Sequence, residues 1–446
     1  ATFTLKNPTK TGYTFAGWTG SNGTTAQTSV SIAKGSTGNK SYTANWNAIG
    51  YSITYNLNGG SVTGNPTSYT IETATFTLKN PTKSGYTFLG WTGSNGTTAQ
   101  TTVTITKGST GNKSYTANWK DSTVPTVSIA RTDYNTFSWT ASDNVGIAGY
   151  AITNSSTAPT SWTTSGTLTS GTKDVTAAGT YYVWVKDAAG NTASANIAAY
   201  TLTKTQGTGT SLTIVENVTS GATLNSGAIV LNGTSIKLTA TANTGYSDLT
   251  VKVGGSVVTL ASNSYTFTMN GNKAVESSAT IVNYSITYNL NEGSVATANP
   301  TSYNVETTTF TLVNPTKTGY TFAGWTGSNG TTPQTTVTIT KGSTGNKSYT
   351  ANWTINAFTV TIVVNNSTPW GSVSTTSVKN VPYGTKLTTD GNKLTVAGTT
   401  VTATPNTNTA EFTYSFDNWT NGTATITGAT TVTANFKRTK NSYTVT

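Results

Sequence analysis

Apolar and polar residues alternate with a period of two over short stretches, and turn-forming residues interrupt them every few positions. YSITYN at 51–56 alternates and runs into a Gly-Gly turn, and NPTSYTIETATFTL alternates through Tyr69, Ile71, Phe76 and Leu78 behind Asn65-Pro66. GYTFLGW is a short aromatic run, TTVTIT alternates through Val103 and Ile105, and SYTANW closes the set. The pattern predicts about five strands in roughly 70 residues, joined by Gly, Pro and Asn turns. Gly-rich pieces such as TGSNGTT lack the Gly-Lys-Ser/Thr ending of a phosphate loop and read as turns. Long runs of Ala, Leu, Glu and Lys are missing, so helices should be few and the fold class all-β.

The pattern then recurs. Residues 74–119 repeat residues 1–46 almost letter for letter at an offset of 73, and a third copy follows 234 residues after the second. Self-similarity of this kind marks tandem modules, each folding around a small core. The expected division is 1–49 (a truncated repeat), 50–120, an immunoglobulin-like sandwich at 121–203, a small β-module at 204–283, a repeat at 284–354, a diverged cousin at 355–437 and the start of a further module at 438–446. In the cousin, FTVTIVVN stands for YSITYNLN, Trp419 takes the place of Trp91, and Phe436 that of Trp119. The ends fall inside modules, which suggests a window on a longer chain. An isolated chain starting at Ala1 should show an open sheet edge, filled natively by upstream sequence or by a neighbour's strand beginning near Tyr443.

NPTKTGYTFAGW followed by YTANW resembles the Listeria–Bacteroides repeat, or internalin B-repeat, of bacterial surface proteins. The resemblance implies a β-grasp-like fold, a role as surface spacer or adhesive module, and no catalytic residues to carry over. Residues 121–203 are similar to bacterial immunoglobulin-like surface domains, with a Trp-centred strand but no cysteine pair.

Composition removes whole classes of chemistry. The 446 residues include no Cys and no His, so thiolate nucleophiles, Cys or His metal sites and histidine acid–base catalysis are out. Only 9% of residues are charged, and the net charge of +11 is spread as single lysines such as Lys34, Lys107 and Lys341, with Lys437, Arg438 and Lys440 the densest group. That argues against a nucleic-acid partner and suits weak attraction to anionic wall polymers or glycans. No stretch approaches 18 consecutive apolar residues, so no membrane span is expected in this segment.

Candidate residues are few. Tyr86, Phe88, Trp91 and Trp119, with Tyr320, Phe322, Trp325 and Trp353, offer either a sugar-stacking platform or an aromatic core, and their recurrence favours the core. Glycosidase chemistry needs two carboxylates, and the repeat offers only Glu72, or Glu306 in the later copy. Asp143 and Asp187 precede turn residues and read as turn caps. With Asp133 they are weak candidates for a Ca²⁺ site. Lys173, Asn191 and Asp187 supply the residue types of a Lys–Asn isopeptide bond, with solvated surface residues the preferred reading. The expected function is a non-enzymatic extracellular stalk or fibre segment of a bacterial surface, without cofactors. Its partners are neighbouring modules, copies of itself, or cell-wall or host glycans. The alternatives are a ligand-binding adhesin and the protomer of an ordered filament.

Overall fold

The computed structural model describes residues 1–444, and no helix forms among them. The end of the expected further module, Val445 and Thr446, lies outside the described residues. The chain is all-β, built from many small sheets in series.

The repeat at 50–120 shows the frame. Its opening strand Tyr51–Asn56 pairs in parallel with its closing strand Lys113–Asp121, bringing Ile53 opposite Lys113 and Tyr55 opposite Tyr115. The middle strand Tyr86–Gly93 runs antiparallel to the closing strand, and Gly96–Gln100 folds back on the middle strand as a hairpin. This hairpin strand occupies a stretch whose sequence reads as a turn. Its Thr, Ala and Gln side chains lie mostly exposed and carry no apolar alternation, so the only signal was the Gly93–Gly96 turn itself. Ile53, Tyr69, Leu78, Trp91, Val103, Ile105, Tyr115 and Ala117 form the core, and the repeat at 284–354 builds the same core from Ile286, Tyr303, Leu312, Trp325, Val337, Ile339, Tyr349 and Ala351.

The frame recurs beyond the obvious copies. At 200–280 the residues Leu202–Gln206 pair in parallel with Lys273–Ile281, which pairs antiparallel with Tyr246–Val253, which carries the hairpin strand Ser256–Val258. At 355–437 Ala357–Val364 pairs in parallel with Thr430–Lys440, and Phe412–Thr420 lies antiparallel beside it. Phe416 packs edge-on to Phe436 at 5.8 Å and against Trp419 at 5.4 Å, as Phe88 does with Trp119 at 5.3 Å and Trp91 at 5.5 Å. The hairpin strand has no counterpart there, and Phe412–Thr420 ends the sheet.

Residues 121–203 form two facing sheets. Thr126–Arg131, Thr136–Ser142 and Ser170–Asp174 make one; Ile147–Thr153, Gly179–Asp187 and Thr192–Gln206 contribute to the other. Phe137, Trp139, Val183 and Val185 fill the space between. The strand Thr192–Gln206 passes without a break into the opening strand of the following frame, so one 15-residue strand serves both.

In residues 1–49 the middle, hairpin and closing strands are present as a three-stranded sheet. Trp18 is only half-buried there, whereas Trp91 and Trp325 are 0% exposed.

Candidate functional site: the module joints

Each repeat carries a Gly-Tyr pair at the start of its middle strand, and the structure places these pairs between modules. The carbonyl oxygen of Gly12 accepts a hydrogen bond from the amide of Ile49 at 3.0 Å, Gly85 from Ser122 at 2.9 Å, Gly245 from Val282 at 2.9 Å and Gly319 from Asn356 at 2.9 Å. Every donor is a linker residue just past its own closing strand. The glycine therefore fixes the direction in which the chain leaves the module.

The same glycine receives the next module. A Cβ on Gly12 would lie 2.5 Å from Ile71 Cδ1, one on Gly245 2.1 Å from Val305 Cγ1, and one on Gly319 2.1 Å from Tyr383 Cδ1. All three glycines have φ near +80°, a region that residues with a Cβ rarely enter, so both backbone and space demand glycine. Ile71 and Val305 lie two residues past, and Tyr383 one residue past, the strand that pairs with each module's opening strand. Ile71, expected in its own core by alternation, is half-buried against the preceding module.

A hydroxyl–carboxylate contact completes two joints. Tyr13 Oη donates to Glu72 Oε1 at 2.9 Å, and Tyr246 Oη donates to Glu306 Oε1. The carboxylate beside each phenol raises its pKa above the usual value, because the neutral form is the donor. The recurrent Glu that lacked a catalytic partner in the sequence has a tyrosine of the preceding module as its partner.

Tyr86 and Tyr320 differ from the other aromatics grouped with them. Trp91 and Trp325 are fully buried, and Phe88, Trp119, Phe322 and Trp353 pack against the same cores. Tyr86 and Tyr320 lie outside both clusters, half-buried beside the joint glycines with Lys83 Nζ and Lys317 Nζ over their rings at 4.0 and 4.5 Å.

The joint between 50–120 and 121–203 is polar. Carboxylate oxygens of Asp121, Asp143 and Asp187 lie within 4.8 Å of one another. Asp187 Oδ1 accepts from Asn191 N at 2.8 Å, Asp143 Oδ2 from Val145 N at 2.9 Å, and Asp121 Oδ1 from Thr123 N at 3.0 Å. That Thr123 amide holds the Asp121 carboxyl below its usual pKa. Asn191 Nδ2 also donates to the Asp121 carbonyl at 3.1 Å, tying the sandwich to the repeat's last strand. Each acid therefore caps its own turn, and together they offer the hard oxygens that a divalent cation would take. Asp121 carried no turn signature and was missed. Asp133 is elsewhere, accepting from Ser220 Oγ at 2.8 Å. Lys173 is exposed on Ser170–Asp174, in the sheet opposite the strand that leads into Asn191.

The family model of the Listeria–Bacteroides repeat domain matches residues 1–44, 51–118 and 284–356. These three stretches belong to the Listeria–Bacteroides repeat family. The divergent InlB B-repeat domain matches residues 200–280, the module whose strand order copies the repeat frame while its sequence does not. Repeats of these families are typical of bacterial surface proteins. No curated protein matches the chain. Among solved structures, the Bacillus anthracis TIE protein aligns over 70% of this chain and 75% of its own at 10% identity and a TM-score of 0.26, too low to carry an argument. No helix among the described residues is long and apolar enough to cross a membrane.

Proposed function

We propose that this chain is a non-enzymatic spacer, a segment of an extracellular stalk on a bacterial surface in which modules are held at set angles by their joints. The observation that carries this reading is the recurrent glycine lock at Gly12, Gly85, Gly245 and Gly319, with its carbonyl on the linker. At three of these the next module's side chain also fills the space where a Cβ would stand. A chain selected only for a site on one module has no need of a repeated joint. The separate aromatic cores at 50–120 and 284–354 let these two repeats fold by themselves, and the shared strand Thr192–Gln206 couples its two neighbours along one backbone. Burial of Trp91 and Trp325 favours this reading over a sugar-stacking row along the repeats.

A strand of 6–10 residues is about 20–33 Å long, so five to six modules in line would span on the order of 100–200 Å. Small-angle X-ray scattering of the chain tests the proposal. A pair-distance distribution with a long tail and a maximum dimension in that range is expected, and a compact profile contradicts it.

A further inference from the structure

Beyond the spacer role, one module carries a cleft that the repeats at 50–120 and 284–354 have closed. In the repeats, Gly96–Gln100 covers the flank of the middle strand, with Gln100 paired to Trp91, and Trp91 is left with 0% exposure. Close cover requires Gly90, since a Cβ there would sit 2.5 Å from Gln100 N. At 355–437 that strand is missing, the glycine is replaced by Asn418, and the preceding position holds Asp417 where the repeats have Leu89 or Ala323. An added hairpin, Thr388–Asp390 with Lys393–Val396, brings its turn to the uncovered side. The result is a cleft of about 540 Å³ lined by Asn392, Phe416, Asp417, Asn418, Trp419 and Thr423.

We propose that this cleft binds a neutral pyranose of a glycan. Its volume is in the range of small-ligand sites, roughly 300–1,000 Å³. Trp419 and Phe416 are half-buried, so part of an aromatic surface remains open to the C–H face of a sugar ring. Asp417, Asn392 and Thr423 supply the hydroxyl-binding groups around it. Lys437 Nζ lies 3.5 Å from Asp417 Oδ1, so the rim is charge-balanced and favours an uncharged ligand over an anionic polymer. Both Asp417 and Lys437 are well exposed, which keeps the acceptors reachable from solvent.

Saturation-transfer NMR of the full chain with the methyl glycosides of glucose, galactose, mannose and N-acetylglucosamine tests this. At least one should bind with a dissociation constant on the order of 1 mM. Thr423→Tyr, an exposed position, should fill the cleft and cut the signal at least about tenfold, while Asp417→Ala weakens it with the melting curve unchanged. Absence of binding by all four glycosides, or a signal that survives Thr423→Tyr in a folded chain, overturns the proposal. Neither outcome bears on the length measured by scattering, so the spacer reading stands or falls separately.

Discussion

Tyr13 and Glu72 belong to different modules, yet the Tyr13 hydroxyl donates to the Glu72 carboxylate at 2.9 Å. The pair reappears as Tyr246 and Glu306, between modules whose sequences otherwise differ. A contact rebuilt between unlike neighbours is a property of the joint. Removing the hydroxyls with Tyr13→Phe and Tyr246→Phe should leave module melting unchanged and increase flexibility at those two joints, read as a rise in the scattering profile's high-angle plateau.

The glycine lock makes a controlled prediction. Gly319 and Gly342 both have φ above +80°, but a Cβ on Gly319 meets Tyr383 at 2.1 Å whereas one on Gly342 meets nothing within 4 Å. Alanine at either position brings about 1–2 kcal/mol of left-handed backbone strain. Only Gly319→Ala should also unseat the next module. Limited proteolysis of the two variants should show faster cleavage near Asn356 in Gly319→Ala alone.

The fold class, the repeats and the buried tryptophans were legible because alternation and near-identity report them directly. The joints were not. Gly12-Tyr13 and Ile71-Glu72 are separated by most of a repeat's length of ordinary turn and strand, 59 residues from Tyr13 to Glu72, and each alone reads as local structure. The frame at 200–280 was also opaque, since Lys273–Ile281 replaces YTANW with small polar residues and keeps only the pairing. Asp121 escaped notice because a carboxylate that ends a strand gains meaning only when Asp143 and Asp187 of the next module fold against it.

Trp91→Ala should cost the repeat at 50–120 about 3–5 kcal/mol, the usual loss for a buried large aromatic. That approaches the whole stability of a module this size. Calorimetry should show one early transition with the others in place. A variant melting like the parent would remove Trp91 from the core.

Alkaline pH should act on specific phenols. Burial pushes Tyr55 and Tyr288 up to about 12 from 10.0, so they stabilise their repeats fully below pH 10 and that contribution is lost as pH rises through about 12. Absorbance titration should separate a late-ionising set of tyrosines from the rest, and Tyr55→Phe should shrink that set.

Asp121, Asp143 and Asp187 cap their own turns, and Asn191 ties the two modules through the Asp121 carbonyl. Melting the chain with a chelator and with Ca²⁺ should give the same transition for residues 121–203. A rise of several degrees with Ca²⁺ would make the three aspartates ligands instead, because a cation that binds only the folded state must stabilise it.

The set angle of the joints is tested most directly by pulsed electron–electron resonance. The chain has no cysteine, so spin labels can be placed at Val257, which is 66% exposed, and at exposed Thr331, on either side of the Gly245 joint. A single narrow distance distribution that broadens in Gly245→Ala is the predicted result. A broad distribution in the parent chain, or a narrow one untouched by the substitution, would contradict a joint that fixes its modules.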